Sequence, residues 1–174
     1  MRTFLYPAIL TTDAQHGGLV VTFPDVPEAI TQGADVPEAL HQAADCLEEA
    51  IAGRIRRREC IPEASAVGPD QYIVALPVST AAKAALYLAL QQAKITQSEL
   101  AEHLHCDEQE VIRLLDPRRV ANVLRVQSAL RALGFQLILG MQAIVPPSCS
   151  GSSGGKGKRT TVATSPHETL EPTR

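Results

Sequence analysis

A chain of 174 residues with 45% hydrophobic side chains and a formal charge of −3 can hold one ordinary domain or two small ones, with enough apolar material for a packed core. Its apolar runs fall short of the roughly 18 residues a membrane helix needs, and the N-terminus lacks a basic segment followed by an apolar one, so a cytoplasmic protein is expected. Cys46, Cys60, Cys106 and Cys149 lie 14, 46 and 43 positions apart, which fits neither a zinc knuckle nor a disulfide framework; they read as spectator thiols, and neither a metal nor a cofactor is expected.

Residues 3–11, TFLYPAILT, read as a strand, residues 13–18 as a turn, and the β-branched run at 19–23 as a second strand that pairs with the first in a hairpin. A short third strand is predicted at 29–32. The pentapeptide DVPEA occurs at 25–29 and again at 35–39, in two different roles. The first copy leaves a strand, with Pro24 and Pro27 close before Gly33, and no helix fits there. The second runs into Leu40, Ala43, Leu47, Ala50, Ile51 and Ile55, the spacing of an amphipathic helix, predicted over 36–54. Asp35 can accept from a free amide of the first turn, Glu38 can reach back, and Pro37 sits where a missing N–H costs nothing, which makes a capping box. A connection through Pro62, Gly68 and Pro69 then leads to a strand at 72–77. Residues 1–78 are thus an α+β unit.

From Ala81 onward the texture becomes rich in alanine and leucine at helical spacing, and a second, all-α domain is placed at 79–142. Thr96 and Glu99 make another capping box, opening a helix that carries Leu100, Ala101 and Leu104. After a break at His105, Cys106 and Asp107, a third box is predicted from Asp107 and Glu110, and its helix carries Val111, Ile112, Leu114 and Leu115. Asp116 and Pro117 stop that helix, and a last one is predicted over 120–133 with Gly134 as its C-terminal stop. Residues 135–141 alternate apolar and polar or glycine, a weak strand signal. Residues 143–174 are rich in Pro, Ser, Gly and Thr and read as a disordered tail, since they cannot bury enough surface to offset ordering entropy.

Charge is unevenly distributed along the chain. Residues 1–68 carry −5, residues 69–142 carry 0 and residues 143–174 carry +2. An acidic front suits a basic partner, because opposite potentials speed encounter and fix orientation. In the rear, two short helices with a three-residue break suggest a DNA-reading motif. The stretch LAEHLHCDEQEVIRLL at 100–115 resembles the helix-turn-helix of lambda-repressor and Cro-like regulators. That resemblance places Gln97, Glu108, Gln109 and Arg113 toward the groove, with Gln97 opening the first helix where phosphate contacts usually lie, and Arg113, Arg118, Arg119 and Arg125 would have to supply most phosphate affinity. It also puts His105 in the left-handed turn position that the family usually gives to glycine. A helical bundle used only for dimerisation is the plainer reading of the same residues.

Taken together, FPDVPEAITQGADVPEALHQAADCLEEAI at 23–51, QYIVALP at 71–77 and VIRLLDPRRVANVLRVQSALRALG at 111–134 resemble, in that order, a HicB-family antitoxin with a C-terminal helix-turn-helix. The resemblance covers roughly residues 3–140. It implies a truncated RNase H-like N-terminal domain that binds HicA, a small basic RNA-cleaving toxin, and a C-terminal domain that represses the operon. Toxin contacts are expected from Phe23, Asp25, Gln32, Asp45, Glu48 and Glu49, and operator binding from a homodimer or higher oligomer. Catalysis is not expected: RNase H chemistry needs carboxylates converging on two metal ions, and the first strand has no acid. Two other classes stay open, a ligand-sensing regulator without a toxin and a metal-dependent nuclease.

Overall fold

In a computed structural model, residues 1–140 apart from His16 and Ala121 are described; the tail expected at 143–174 lies outside them. Strand β1 (Leu5–Thr12) turns back into β2 (Leu19–Thr22), with Ile9 opposite Thr22 and Thr12 opposite Leu19. The reversal rests on Gly17 and Gly18, whose φ angles of 74° and 88° lie where an L side chain is strained. Strand β3 (Ile30–Gly33) pairs antiparallel with β2, Val21 facing Thr31. The sheet order is β3-β2-β1-β4. Strand β4 (Tyr72–Ala75) closes the other side of β1 and is also antiparallel to it. The resulting mixed α and β architecture agrees with the expected α+β class.

Helix α1 (Val36–Arg57) lies across one face of this sheet. Its stripe of Ala39, Ala43, Leu47 and Ile51 is fully buried against Tyr6, Ala8 and Val21 of the sheet, and each large side chain so covered is worth about 1.5–3 kcal/mol. Gly33 permits the close approach, since a Cβ there would lie 2.4 Å from the Ala39 nitrogen. The capping box is displaced by one residue from the expected one. Asp35 accepts from the Glu38 amide at 2.9 Å, but the Glu38 carboxylate takes the Ala34 amide, not that of Asp35. The helix also runs three residues past the expected end at Arg54 and stops at Arg58, which adopts φ 58°. A Schellman bond from the Glu59 amide to the Arg54 carbonyl, 2.9 Å, closes it without the glycine that usually marks such a stop.

Helix α2 (Val78–Ala93) starts earlier than Ala81, behind Pro77, and packs against α1 on one side and against two later helices, α4 (Glu108–Leu115) and α5 (Val123–Ala132), on another. Between α2 and α4 comes the seven-residue helix α3 (Gln97–His103). The core continues through Leu86, Leu100, Val111 and Val126 as one cluster, and Met1–Gln142 forms one compact unit. Helix α5 begins at an Asn122 cap, whose side chain accepts from the Arg125 amide. The predicted start at Val120 is wrong because that side chain is 95% exposed, with no core to pull it into a helix. Gly134, φ 82°, ends α5 as expected, with the Phe135 amide on the Leu130 carbonyl at 2.8 Å. The strand predicted beyond it is absent through residue 140; Phe135 and Leu137 pack on the core, which produces the alternation without a partner strand. Met141 lies outside the described residues. No helix among the described residues is long and apolar enough to cross a membrane.

Candidate functional site

The exposed crest of α1 separates charge along its length. Glu38, Asp45 and Glu49 are exposed on the side away from the sheet, while the last turn carries Arg54, Arg56 and Arg57. Of the six front residues singled out in the sequence, only Asp45 and Glu49 share this crest. Glu48, one step round the helix, is half-buried and accepts a hydrogen bond from the Thr80 hydroxyl, so it ties α1 to α2. Gln32 is exposed on β3 but projects from the opposite face of the sheet, because Gly33 beside it faces α1 and side chains alternate along a strand. On that open face it neighbours Ile30, 60% exposed, while Ile73, 42% exposed, stands on the same face at the far edge of the sheet.

Phe23 and Asp25 shape the loop between β2 and β3. Phe23 is 2% exposed and supports the loop from beneath, presenting no surface to a partner. Asp25 accepts from the Ser65 amide at 2.9 Å and from its hydroxyl at 3.1 Å. Glu28 in the same loop is gripped by the Arg54 guanidinium through two bonds of 2.5 and 2.9 Å, and those bonds hold its carboxyl below the usual carboxylate range. The loop is therefore a fixed feature of the front surface.

In the rear, Thr96 and Glu99 close their capping box in both directions, with the Glu99 amide 3.2 Å from the Thr96 hydroxyl and the Thr96 amide 2.6 Å from the Glu99 carboxylate. His105 takes φ 49°, the left-handed turn expected of it. The third box does not form. Asp107 accepts from the Gln109 amide at 3.4 Å, but the Glu110 carboxylate points away and receives the Arg125 guanidinium. Arg125, expected to be available to phosphate, is thereby paired. Glu108, Gln109 and Arg113 are exposed on α4 while Val111, Leu114 and Leu115 are buried. Arg118 is exposed and Arg119 leans on Asp116 at 3.5 Å.

Two features were not anticipated from the sequence. Lys83 is fully buried, and its amine donates to the Asp116 carbonyl at 2.7 Å and to that of Arg119, fixing the turn that carries Arg118 and Arg119. Burial pushes its pKa down, an effect partly offset by Asp116 and Glu48. Its signal was legible: it is the one charged residue in VSTAAKAALYLALQQA, and a lone charge in such a helix needs partners. The second feature is a groove of about 810 Å³, where Gln97, Glu108 and Ile112 meet Arg56, Arg58 and Lys94. Among the described residues, no group of three or more His, Cys, Asp or Glu could hold a metal ion.

Residues 5–85 match the model of a family described as the HicB-like antitoxin of bacterial toxin-antitoxin systems. Over a longer stretch, the chain is 39% identical over 136 residues to the Antitoxin HicB of Escherichia coli (strain K12), covering 78% of this chain and 98% of the relative. The chain belongs to the HicB antitoxin family. An Antitoxin HicB 1 of Photorhabdus laumondii is 37% identical over 142 residues, 82% of this chain and 90% of the relative, and the Antitoxin HicB of Pseudomonas fluorescens (strain Pf0-1) is 28% identical over 140 residues, 80% and 96%. A match of 136 residues or more in a chain of 174 must include residues 39–136, so Asp45 and Glu49 of the crest and the rear helices lie inside the shared length. An antitoxin role in a toxin-antitoxin system follows.

Proposed function

We propose that the protein neutralises a small basic HicA-like RNA-cleaving toxin by direct binding and represses its own operon through DNA binding. The observation that carries the first half is the crest of α1, where Asp45 and Glu49 stand exposed on a helix anchored by its buried stripe. Carboxylates held in this way offer a cationic enzyme charge-assisted contacts with little ordering cost. Gln32 on β3 and the loop at 23–29, held by Asp25 and Glu28, extend the surface around the β3 edge. The front is taken as a truncated RNase H-like unit that binds and does not cut, consistent with the absence of any carboxylate from β1.

The DNA half rests on α4, whose Glu108, Gln109 and Arg113 are free on one side while Val111, Leu114 and Leu115 are buried on the other. With α3 and the turn at His105, this supports reading the segment as a helix-turn-helix in which Gln109 would pair with adenine, Glu108 would accept from cytosine and Arg113, Arg118 and Arg119 would hold the duplex. A homodimer would read two half-sites. Copurification with the small basic product of the adjacent gene, followed by RNA cleavage and by mobility shift on the upstream duplex, tests both halves. A complex that still cuts RNA sinks the first, and an Arg113→Ala variant that shifts DNA as well as the parent sinks the second. DNA affinity governed by a small ligand, with no toxin complex, would favour a ligand-sensing regulator.

A further inference from the structure

The groove shared by the two parts of the molecule is more cationic than the α3–α4 pair alone would make it. Four arginines cluster around the end of α1, and they are not equivalent. Arg54 is held by Glu28 and Arg57 by Glu59, whereas among the described residues no carboxylate pairs with Arg56 or Arg58. Lys94 at the end of α2 is likewise without an ion-pair partner among them. Arg56, Arg58 and Lys94 line the same groove as Gln97 and Glu108. Two of the three stand on defined backbone, because Arg58 and Lys94 are the left-handed terminal residues of their helices, φ 58° and 55°. Arg58 is further pinned by the Schellman bond of the following amide.

We propose that Arg56, Arg58 and Lys94 form a phosphate rail, so that the N-terminal part of the chain grips the DNA backbone beside the site read by α4. This extends the DNA-binding reading above and rests on it. The partner is duplex DNA. A basic toxin would be repelled by three unpaired cations, and the groove runs directly onto Gln97 at the start of α3, where phosphate contacts are expected. Ile112, 40% exposed in the same groove, offers an apolar contact suited to a thymine methyl. Glu108 sits among the cations, so the rail also offsets the repulsion that a carboxylate would meet near a polyanion.

The test uses the full chain and its upstream duplex, with affinity measured across a salt series. Every phosphate that the protein ceases to neutralise reduces the steepness of the fall of log affinity with log salt by about 0.9. The double variant Arg56→Ala, Arg58→Gly should therefore lower it by about 2 and weaken binding about 10- to 100-fold at moderate salt, with little change in preference between operator and unrelated duplex. Glycine at 58 suits the left-handed backbone, and both positions are exposed, so the variant should fold. Lysine at both positions should restore the slope, which a merely structural role would not do. Parental affinity and slope in the double variant would overturn the rail while leaving the α4 reading intact; a parent that ignores the duplex would overturn both. Equal loss on single-stranded RNA of the same length would overturn the assignment to duplex DNA.

Discussion

The sheet with α1 and the helices α3 to α5 are held together in different ways. The front is a 22-residue helix laid on four strands, where a stripe of buried aliphatic side chains supplies most of the cohesion and Asp45 and Glu49 on the crest are free of structural duty. The rear uses helices of seven, eight and ten residues, too short to be stable alone, and secures them with polar ties: the Thr96–Glu99 box, the Glu110–Arg125 pair and the Lys83 amine on two carbonyls. On the crest of α1, Asp45 and Glu49 can change without touching the fold. In the rear, several charged groups on the candidate DNA face are also the fastenings.

The largest disturbance of this contrast should come from within the front core. Leu47→Ala should destabilise by about 2–5 kcal/mol in chemical denaturation, and because one apolar cluster joins both regions, sheet and rear helices should melt in a single transition. Two separated transitions would show that the polar ties hold the rear independently. Next comes Lys83→Ala, which orphans the Asp116 and Arg119 carbonyls and should cost about 1–3 kcal/mol, loosening the turn around Arg118 enough to lower DNA affinity as well. The depressed Lys83 pKa adds a pH test. Between its folded value and the ordinary 10.5, the unfolded chain carries more protons than the folded one, so the contribution of this lysine to stability rises with pH there. Lys83→Met should remove that rise from the difference between parent and variant midpoints.

Smaller effects sharpen the contrast. His105→Gly relieves a left-handed histidine and should stabilise by about 0.5–1 kcal/mol, read as a higher melting temperature. Glu110→Gln breaks a partly exposed ion pair, for which about 0.2–1 kcal/mol of stability is expected. It also frees Arg125 and should tighten DNA binding, so that a fastening becomes a contact. If affinity falls instead, Arg125 must be held by Glu110 to serve at all.

Much of this was legible in the residues. Local patterns located the hairpin, the start of α1, the Thr96 box and the Gly134 stop, because each depends on neighbours within a few positions; the left-handed His105 came from the family resemblance. The failures share a cause. Glu110 has its partner at Arg125, 15 residues on, and no local rule separates that choice from a cap. Helix α1 overran its expected end because an arginine took the left-handed position that glycine advertises. Gln32 was grouped with Asp45 as an expected toxin contact, but the strand alternation places it on the face of the sheet away from α1. The groove could not be read from sequence, since only packing of α2 between α1 and α4 brings Arg56 and Arg58 beside Gln97.

Arg58 and Lys94 hold conformations that glycine would adopt more cheaply. A laboratory selection for heat tolerance alone should therefore enrich glycine at both positions, and on the phosphate-rail proposal its winners would be sturdier proteins that release their promoter more readily. Marginal strain at two helix ends would then reflect a compromise between durability and regulation.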